Sequence, residues 1–205
     1  MNVHKVAVLF SGGVESTTLL YIYLQKGQIV YPVYVKMGES WESLELENAI
    51  KLWHYTKDRY ASLRPLRILS MQKGKTKERQ PNTVPQLFIP LRNLILITTC
   101  AFYAISKDIK RLAIGSLGLY PFPDNDKGYI KQVERLIEVG SGDEFSVELP
   151  LFGLEKKDIV KNFYRKVPYH LTLSCAMPKK IAGKIVPCGK CVKCMERREA
   201  LMDLL

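Results

Sequence analysis

Residues 5–20 read KVAVLFSGGVESTTLL, and the fold follows from how this stretch divides. Val6, Ala7, Val8, Leu9 and Phe10 form a short apolar run that Ser11-Gly12-Gly13 stops at once. A run this short with β-branched members predicts a buried strand, of the kind found in parallel sheets. Beyond the glycines, Leu19, Leu20, Ile22, Tyr23 and Leu24 suit a buried helix, which Gly27 is placed to end. The Ser-Gly-Gly-Val-Glu-Ser segment between them is suited to holding an anion. Two glycines let the backbone turn tightly and approach a ligand. Ser11 and Ser16 add hydroxyls, and the next helix directs its free N–H groups and positive dipole end at the loop. A lone S-G-G would favour a plain strand-to-helix turn with a Ser cap; the longer pattern in this position favours phosphate.

S-G-G-V-E-S-T-T resembles the S-G-G-x-D-S pyrophosphate loop of the PP-loop ATP pyrophosphatases, and it lacks the Gly-Lys-Ser/Thr ending of a Walker A loop. The resemblance implies that Phe10, Ser11, Gly12, Gly13, Val14, Glu15, Ser16, Thr17 and Thr18 bind the nucleotide. Glu15 stands where that family has Asp, which places its carboxylate one methylene further out. Its implied role is to position Mg²⁺ or to order the loop.

A chain of 205 residues forms one domain, or one domain with a small appendage. No apolar run reaches the length of a membrane span, and the start lacks the apolar segment of a signal peptide. A cytoplasmic protein is the expectation, and in that compartment five cysteines serve as metal ligands or thiols more often than as disulfides. The formal charge of +11 points to anionic partners. A zinc tetrathiolate would lower it to about +9, and the lysines are scattered with no dense block. Nucleic acid is therefore admitted as a partner but not favoured.

Along the chain, strands are expected at 29–37, 66–69, 111–115 and 147–152, and helices at 41–60, 91–106, 129–139 and 155–164. Polar loops are expected at 72–86 and 116–128, and Cys100 is expected in the core. The alternation predicts an α/β fold, a doubly wound parallel sheet with helices on both faces. In such sheets ligands lie at the carboxyl ends of the strands. The Ser11 loop, the turn at Lys36-Met37-Gly38, the Ser116 loop and the turn after Phe152 would gather there.

The tail carries Cys175, then PCGKCVKC with Cys188, Cys191 and Cys194. Interlocked C-x-x-C turns supply adjacent corners of a zinc tetrahedron, and Cys175 would supply the fourth across a twelve-residue loop. Four thiolates leave no open position, so the Zn²⁺ would be structural, tying a segment 171–205 onto a nucleotide-binding domain 1–170. A redox C-x-x-C pair and an iron–sulfur cluster stay open as alternatives.

Taken with the loop, the cysteines make the chain similar to the QueC/ExsB family of 7-cyano-7-deazaguanine synthases. Further matches are Gly38 with Glu45-Leu46-Glu47-Asn48-Ala49, the P-x-R-N motif at Pro90-Leu91-Arg92-Asn93, Tyr120-Pro121-Phe122-Pro123-Asp124 for Y-P-D, and Pro150 to Lys156 for P-L-x-x-L-x-K. The resemblance implies an AMP-forming ligase. It adenylates 7-carboxy-7-deazaguanine with ATP and Mg²⁺, lets ammonia displace AMP, and dehydrates the resulting amide to the nitrile with a second ATP. Implied roles are a cation on the phosphates for Lys156, a contact to the substrate carboxylate or a phosphate for Arg92, and an acceptor for the guanine-like edge for Asp124. A homodimer is also expected. Residues 35–41 and Leu117 to Leu119 depart from the family pattern on the substrate side. Two other readings compete with this one: a related PP-loop enzyme that transfers its activated acid to tRNA or protein, and a nucleotide-binding protein weakened by Glu15.

Overall fold

A computed structural model describes residues 4–71 and 83–202. The expected loop at 72–86 lies outside the described residues from 72 to 82. Among the described residues, β1 (Lys5–Leu9), β2 (Ile29–Lys36), β3 (Arg67–Ser70), β4 (Arg111–Ala113) and β5 (Ser146–Glu148) form one parallel sheet in the order β3-β2-β1-β4-β5. Successive side chains of β1 point to opposite faces, so Val6, Val8 and the following Phe10 join one core while Ala7 and Leu9 join the other. Burial on both faces is why this strand reads as an unbroken apolar run.

The helices α1 (Val14–Gln25), α2 (Glu42–Lys57), α3 (Arg92–Ile105), α4 (Lys127–Ser141), α5 (Lys156–Phe163) and α6 (Val192–Met202) cover the two faces. Leu19, Leu20, Leu52, Ile159 and Leu201 bring α1, α2, α5 and α6 onto the first core. Ile97, Ala101, Ile130 and Val133 bring α3 and α4 onto the second, with Cys100 buried among them. The doubly wound parallel sheet expected from the alternation is therefore present. No helix among the described residues is long and apolar enough to cross a membrane.

The chain winds outward from β1 to β3, then returns to place β4 against the other edge of β1. The direction of winding reverses between β1 and β4, which opens a crevice beyond their carboxyl ends. Gly115 lets the segment after β4 approach the loop after β1: a Cβ there would meet Glu15 Cβ and Ser16 N at 3.2 Å.

Three strands, β2, β4 and β5, end earlier than the sequence suggests. β5 stops at Glu148, just ahead of Leu149 and of Pro150, which has no N–H to give a ladder. The tail also holds an element that was expected to be plain loop. β6 (Lys179–Ile181) and β7 (Lys184–Val186) pair as an antiparallel hairpin. Its turn residues Ala182 and Gly183 have φ of 46° and 76°, the double left-handed geometry of a two-residue hairpin turn.

Candidate active site

The crevice is a cavity of about 910 Å³. Its floor is the loop between β1 and α1. Ser11 Oγ lies 3.2 Å from Ser16 Oγ, Ser16 Oγ accepts from Ser11 N at 3.2 Å, and Ser11 Oγ accepts from Gly13 N at 3.4 Å. The two serines thus brace the loop across its own width. Gly12 has a φ of 75°, and a Cβ on it would stand 3.1 Å from Ala49 Cα, so the loop rests directly on α2. This contact explains the small residue in Glu45-Leu46-Glu47-Asn48-Ala49. In the same segment Asn48 Nδ2 donates to Leu171 O at 3.1 Å, and Leu173 N donates to Gly12 O at 3.0 Å.

The residues expected to bind the nucleotide divide into two groups. Phe10, Ser11, Gly13, Glu15 and Ser16 line the cavity. Gly12, Val14, Thr17 and Thr18 stand behind it and do not line it. Val14, Thr17 and Thr18 are fully buried, and Thr18 Oγ1 donates to Val14 O and meets Tyr169 Oη, both at 2.8 Å. These positions hold the start of α1 in place.

Lys156, the first residue of α5, reaches into the cavity with its side chain 13% exposed. Its ammonium lies 3.0 Å from Glu15 Oε1 and 2.8 Å from Glu196 Oε2. Burial alone would pull its pKa down, but the two carboxylates outweigh that and raise it, so the cation is secured. Glu196 belongs to α6, and its other oxygen accepts from Tyr120 Oη. Burial, reinforced by Glu196, raises the Tyr120 pKa and keeps that phenol a donor. The longer side chain of Glu15 thus closes a chain of partners running from the loop through Lys156 and Glu196 to Tyr120.

Arg92 and Asp124 also line the cavity. Asp124 is buried, and its Oδ2 accepts from Asn93 N at 3.0 Å while its carbonyl accepts from Asn93 Nδ2 at 2.9 Å. Asp124 therefore caps the start of α3. Leu91, just before that helix, has a φ of 61°, a left-handed conformation that few side chains adopt. Glu42, buried at the start of α2, accepts from Met37 N and from Gly38 N at 2.7 Å, which fixes the turn after β2.

Sequence reasoning missed several lining residues. Lys193 and Glu196 come from the helix that was read only as a zinc tether. Their i,i+3 spacing beside two anchored cysteines was the available signal. Lys193 Nζ sits 5.3 Å from the Trp41 ring centroid, and burial, ahead of the opposing pull of Glu45, lowers its pKa. Phe88, Phe122 and Tyr120 were missed as well. Their rings lie 5.2 Å apart in sequence across one side of the cavity, a surface on which a flat heterocycle can stack. The departures noted in the sequence (Val35, Trp41 and Leu117 to Leu119) all line the same cavity.

Cys175, Cys188, Cys191 and Cys194 gather with their sulfurs within 4.8 Å of one another. Cys188 N and Met177 N donate to Cys175 Sγ at 3.2 and 3.3 Å, Cys191 N donates to Cys188 Sγ at 3.4 Å, and Ala176 N donates to Cys191 Sγ at 3.5 Å. Burial raises the Cys175 and Cys194 thiols, while backbone N–H groups outweigh burial at Cys188 and hold it at about 7. Four crowded sulfurs cannot all ionise without a cation among them. Backbone N–H groups aimed at the sulfurs are the surroundings a tetrathiolate needs. The donor set therefore fits a bound metal, and it leaves no open coordination position for chemistry.

The comparisons agree with this geometry. The family model for queuosine biosynthesis protein QueC matches residues 5–205. A 7-cyano-7-deazaguanine synthase of Aquifex aeolicus is 29% identical, covering 98% of this chain and 97% of its own. One of Methanoculleus marisnigri is 31% identical, covering 98% and 95%. Among solved structures, a 4-thiouridine synthetase in complex with RNA and ATP matches with a TM-score of 0.52 at 17% identity. That match covers 98% of this chain and 51% of the synthetase, and it shows a shared fold. With a family match running from the first strand to the last helix, across both the glycine loop and the cysteine cluster, the chain belongs to the queuosine biosynthesis protein QueC family.

Proposed function

We propose that the protein is a 7-cyano-7-deazaguanine synthase that makes its nitrile by two successive adenylations. The observation that carries this reading is convergence. The braced glycine loop, Lys156, Arg92 and an aromatic wall all open onto one cavity. At about 910 Å³ it lies near the upper end of the roughly 300–1,000 Å³ typical of small-molecule sites, with room for a nucleotide beside a bicyclic acid.

A carboxylate is a poor acyl donor because its oxygen leaves badly. In the first step a substrate oxygen attacks the α-phosphorus of ATP and pyrophosphate departs. Ammonia then adds to the carbonyl carbon, and AMP and a proton leave to give the amide. The amide oxygen attacks the α-phosphorus of a second ATP and a second pyrophosphate departs; loss of AMP and of both amide protons then gives the nitrile. The backbone N–H of Gly13, with the Ser11 and Ser16 hydroxyls, would hold the departing pyrophosphate, and Lys156 would oppose its charge. Mg²⁺ would accompany the nucleotide, with Glu15 as the carboxylate supplied by the loop. Arg92 would face the substrate carboxylate. Asp124, with one oxygen committed to capping α3, has the other for the guanine-like edge. The metal of the cysteine cluster would be Zn²⁺, supplying no chemistry and fixing segment 171–205 on the 1–170 domain. A homodimer remains part of this proposal.

Incubation with ATP, Mg²⁺, ammonia and 7-carboxy-7-deazaguanine tests the reading: two AMP per nitrile are expected. A second reading has its own support, because Val35, Trp41 and Leu117 to Leu119, where the sequence departs from the family pattern, contribute to the cavity wall. AMP release only with tRNA or a protein acceptor would favour a diverged transferase. No AMP under any of these conditions would favour a silent nucleotide-binding protein.

A further inference from the structure

The cations lining the cavity are of two kinds. Lys156 is held between Glu15 and Glu196. Arg92 and Lys193 line the same cavity, and among the described residues neither side chain forms a hydrogen bond or an ion pair. Glu45 lines the same cavity, and its Oε1 already accepts from Tyr34 Oη at 2.9 Å. Trp41, itself 6% exposed, provides an aromatic anchor, with its ring centroid 5.3 Å from the ammonium. An aromatic face attracts an ammonium without neutralising it. Lys193 is therefore held in place with its charge and its donors unspent. Both side chains therefore reach the cavity as cations with no bonded acceptor among the described residues. Two cations lining one cavity without bonded acceptors favour an anionic ligand there.

We infer that Lys193, paired with Arg92, binds the reacting carboxylate of the acid substrate and sets the enzyme's preference for a charged acyl group. This rests on the adenylation reading above. The loop and Lys156 already serve the phosphates, so the remaining anion in that reaction is the acid itself. The pair would hold one carboxylate oxygen while the other attacks phosphorus, and it would let go once the acyl group became the neutral amide. Lys193 is thus a substrate-binding residue contributed by the metal-anchored helix, which gives that helix a direct part in recognition.

The test compares Lys193→Gln with wild type, feeding either the acid or the preformed 7-carboxamide and measuring AMP release. Loss of one charge-assisted contact should raise KM for the acid by roughly thirty-fold, with the amide and ATP changed less than about threefold. Lys193→Arg should restore acid KM to within about fivefold of wild type. Metal content is measured in parallel. Arg92→Gln, on a different helix, is the second variant, and it must show the same acid-selective rise if the two act as a pair. Equal rises for acid and amide, a rise for ATP as large as that for the acid, or an unchanged acid KM would overturn the assignment of Lys193 while leaving the adenylation reading intact. Wild-type protein that releases no AMP from the acid would overturn both.

Discussion

The two ends of the cavity are built on opposite plans. At the end proposed for the phosphates the charges are paired within the protein: Lys156 touches Glu15 and Glu196, Glu196 takes a hydrogen bond from Tyr120, and the loop serines brace one another. At the other, among the described residues, Arg92 and Lys193 face the void without acceptors, with Trp41 and an aromatic wall lining the same cavity. The first end is preorganised by the protein itself. The second is completed by its ligand. A group that must stabilise charge at the moment of reaction gains from being fixed beforehand. A group that must distinguish a charged substrate from a neutral one gains from staying uncompensated until that substrate arrives.

The largest expected effect breaks both ends at once, because α6 carries Glu196 to one and Lys193 to the other. Cys191 is fully buried, and Cys194 sits within the first turn of that helix. Cys191→Ala should lose the bound metal, release α6 and lower turnover by at least about 1,000-fold, since structural zinc contributes on the order of 10 kcal/mol to small metal-folded segments. Metal analysis and a thermal melt check this. A variant lacking metal but retaining turnover would show that the cluster is independent of the site.

The next effect separates the ends. Lys156→Met leaves Glu15 and Glu196 facing one another with no cation between them. Turnover should fall by roughly 100-fold or more, the scale for removing one preorganised charge from a transition state. KM for the acid should stay within about threefold, the reverse of the pattern expected for Lys193→Gln. Equal changes in both quantities would mean that the two ends are one unit.

Glu15→Asp is milder and tests whether the unusual carboxylate is drift or adaptation. Glu15 spans 3.0 Å to Lys156, and shortening it by a methylene opens that contact. Turnover should fall by about tenfold, in line with losing a charge-assisted hydrogen bond of roughly 1.5 kcal/mol. A gain in turnover would instead mark the glutamate as a loss of fit.

Much of this was legible in the sequence, and for definite reasons. The strand-loop-helix of residues 5–27 announces itself because β1 is buried on both faces and because a phosphate loop needs glycines at a fixed place. The cysteines were legible because metal ligation fixes their spacing. The charged partners in α6 were not. Lys193 and Glu196 have the polarity of any solvated helix face, and only the fold turns that face into the cavity. The hairpin at 179–186 escaped for a related reason: its turn is Ala-Gly, which lacks the Asn-Gly or Asp-Gly signature of a double left-handed turn. Thr17 and Thr18 show the converse. Their place in the loop pattern suggested ligand contact, yet their burial follows from the helix phase, which turns them behind the loop.

The smallest effect comes from a pair that should touch neither end. Arg111 at the start of β4 grips Glu148 of β5, with Nε 2.6 Å from Oε1 and Nη2 3.2 Å from Oε2, and Tyr23 Oη donates to the same carboxylate. Burial pushes the Glu148 pKa up, but Arg111 and Tyr23 together outweigh it, and the net shift is downward. A carboxylate whose pKa is lower folded than unfolded stabilises the fold above its unfolded value and loses that contribution as pH falls through the folded one. Glu148→Gln should therefore cost about 1–2 kcal/mol at neutral pH, and the gap to wild type should shrink as pH drops below about 4. Denaturant melts at both pH values measure this, with the kinetic constants for acid and ATP unchanged throughout. A change in either constant would mean that the two ends of the cavity sense the sheet beneath them, and the division of labour between them would then be less local than their contacts indicate.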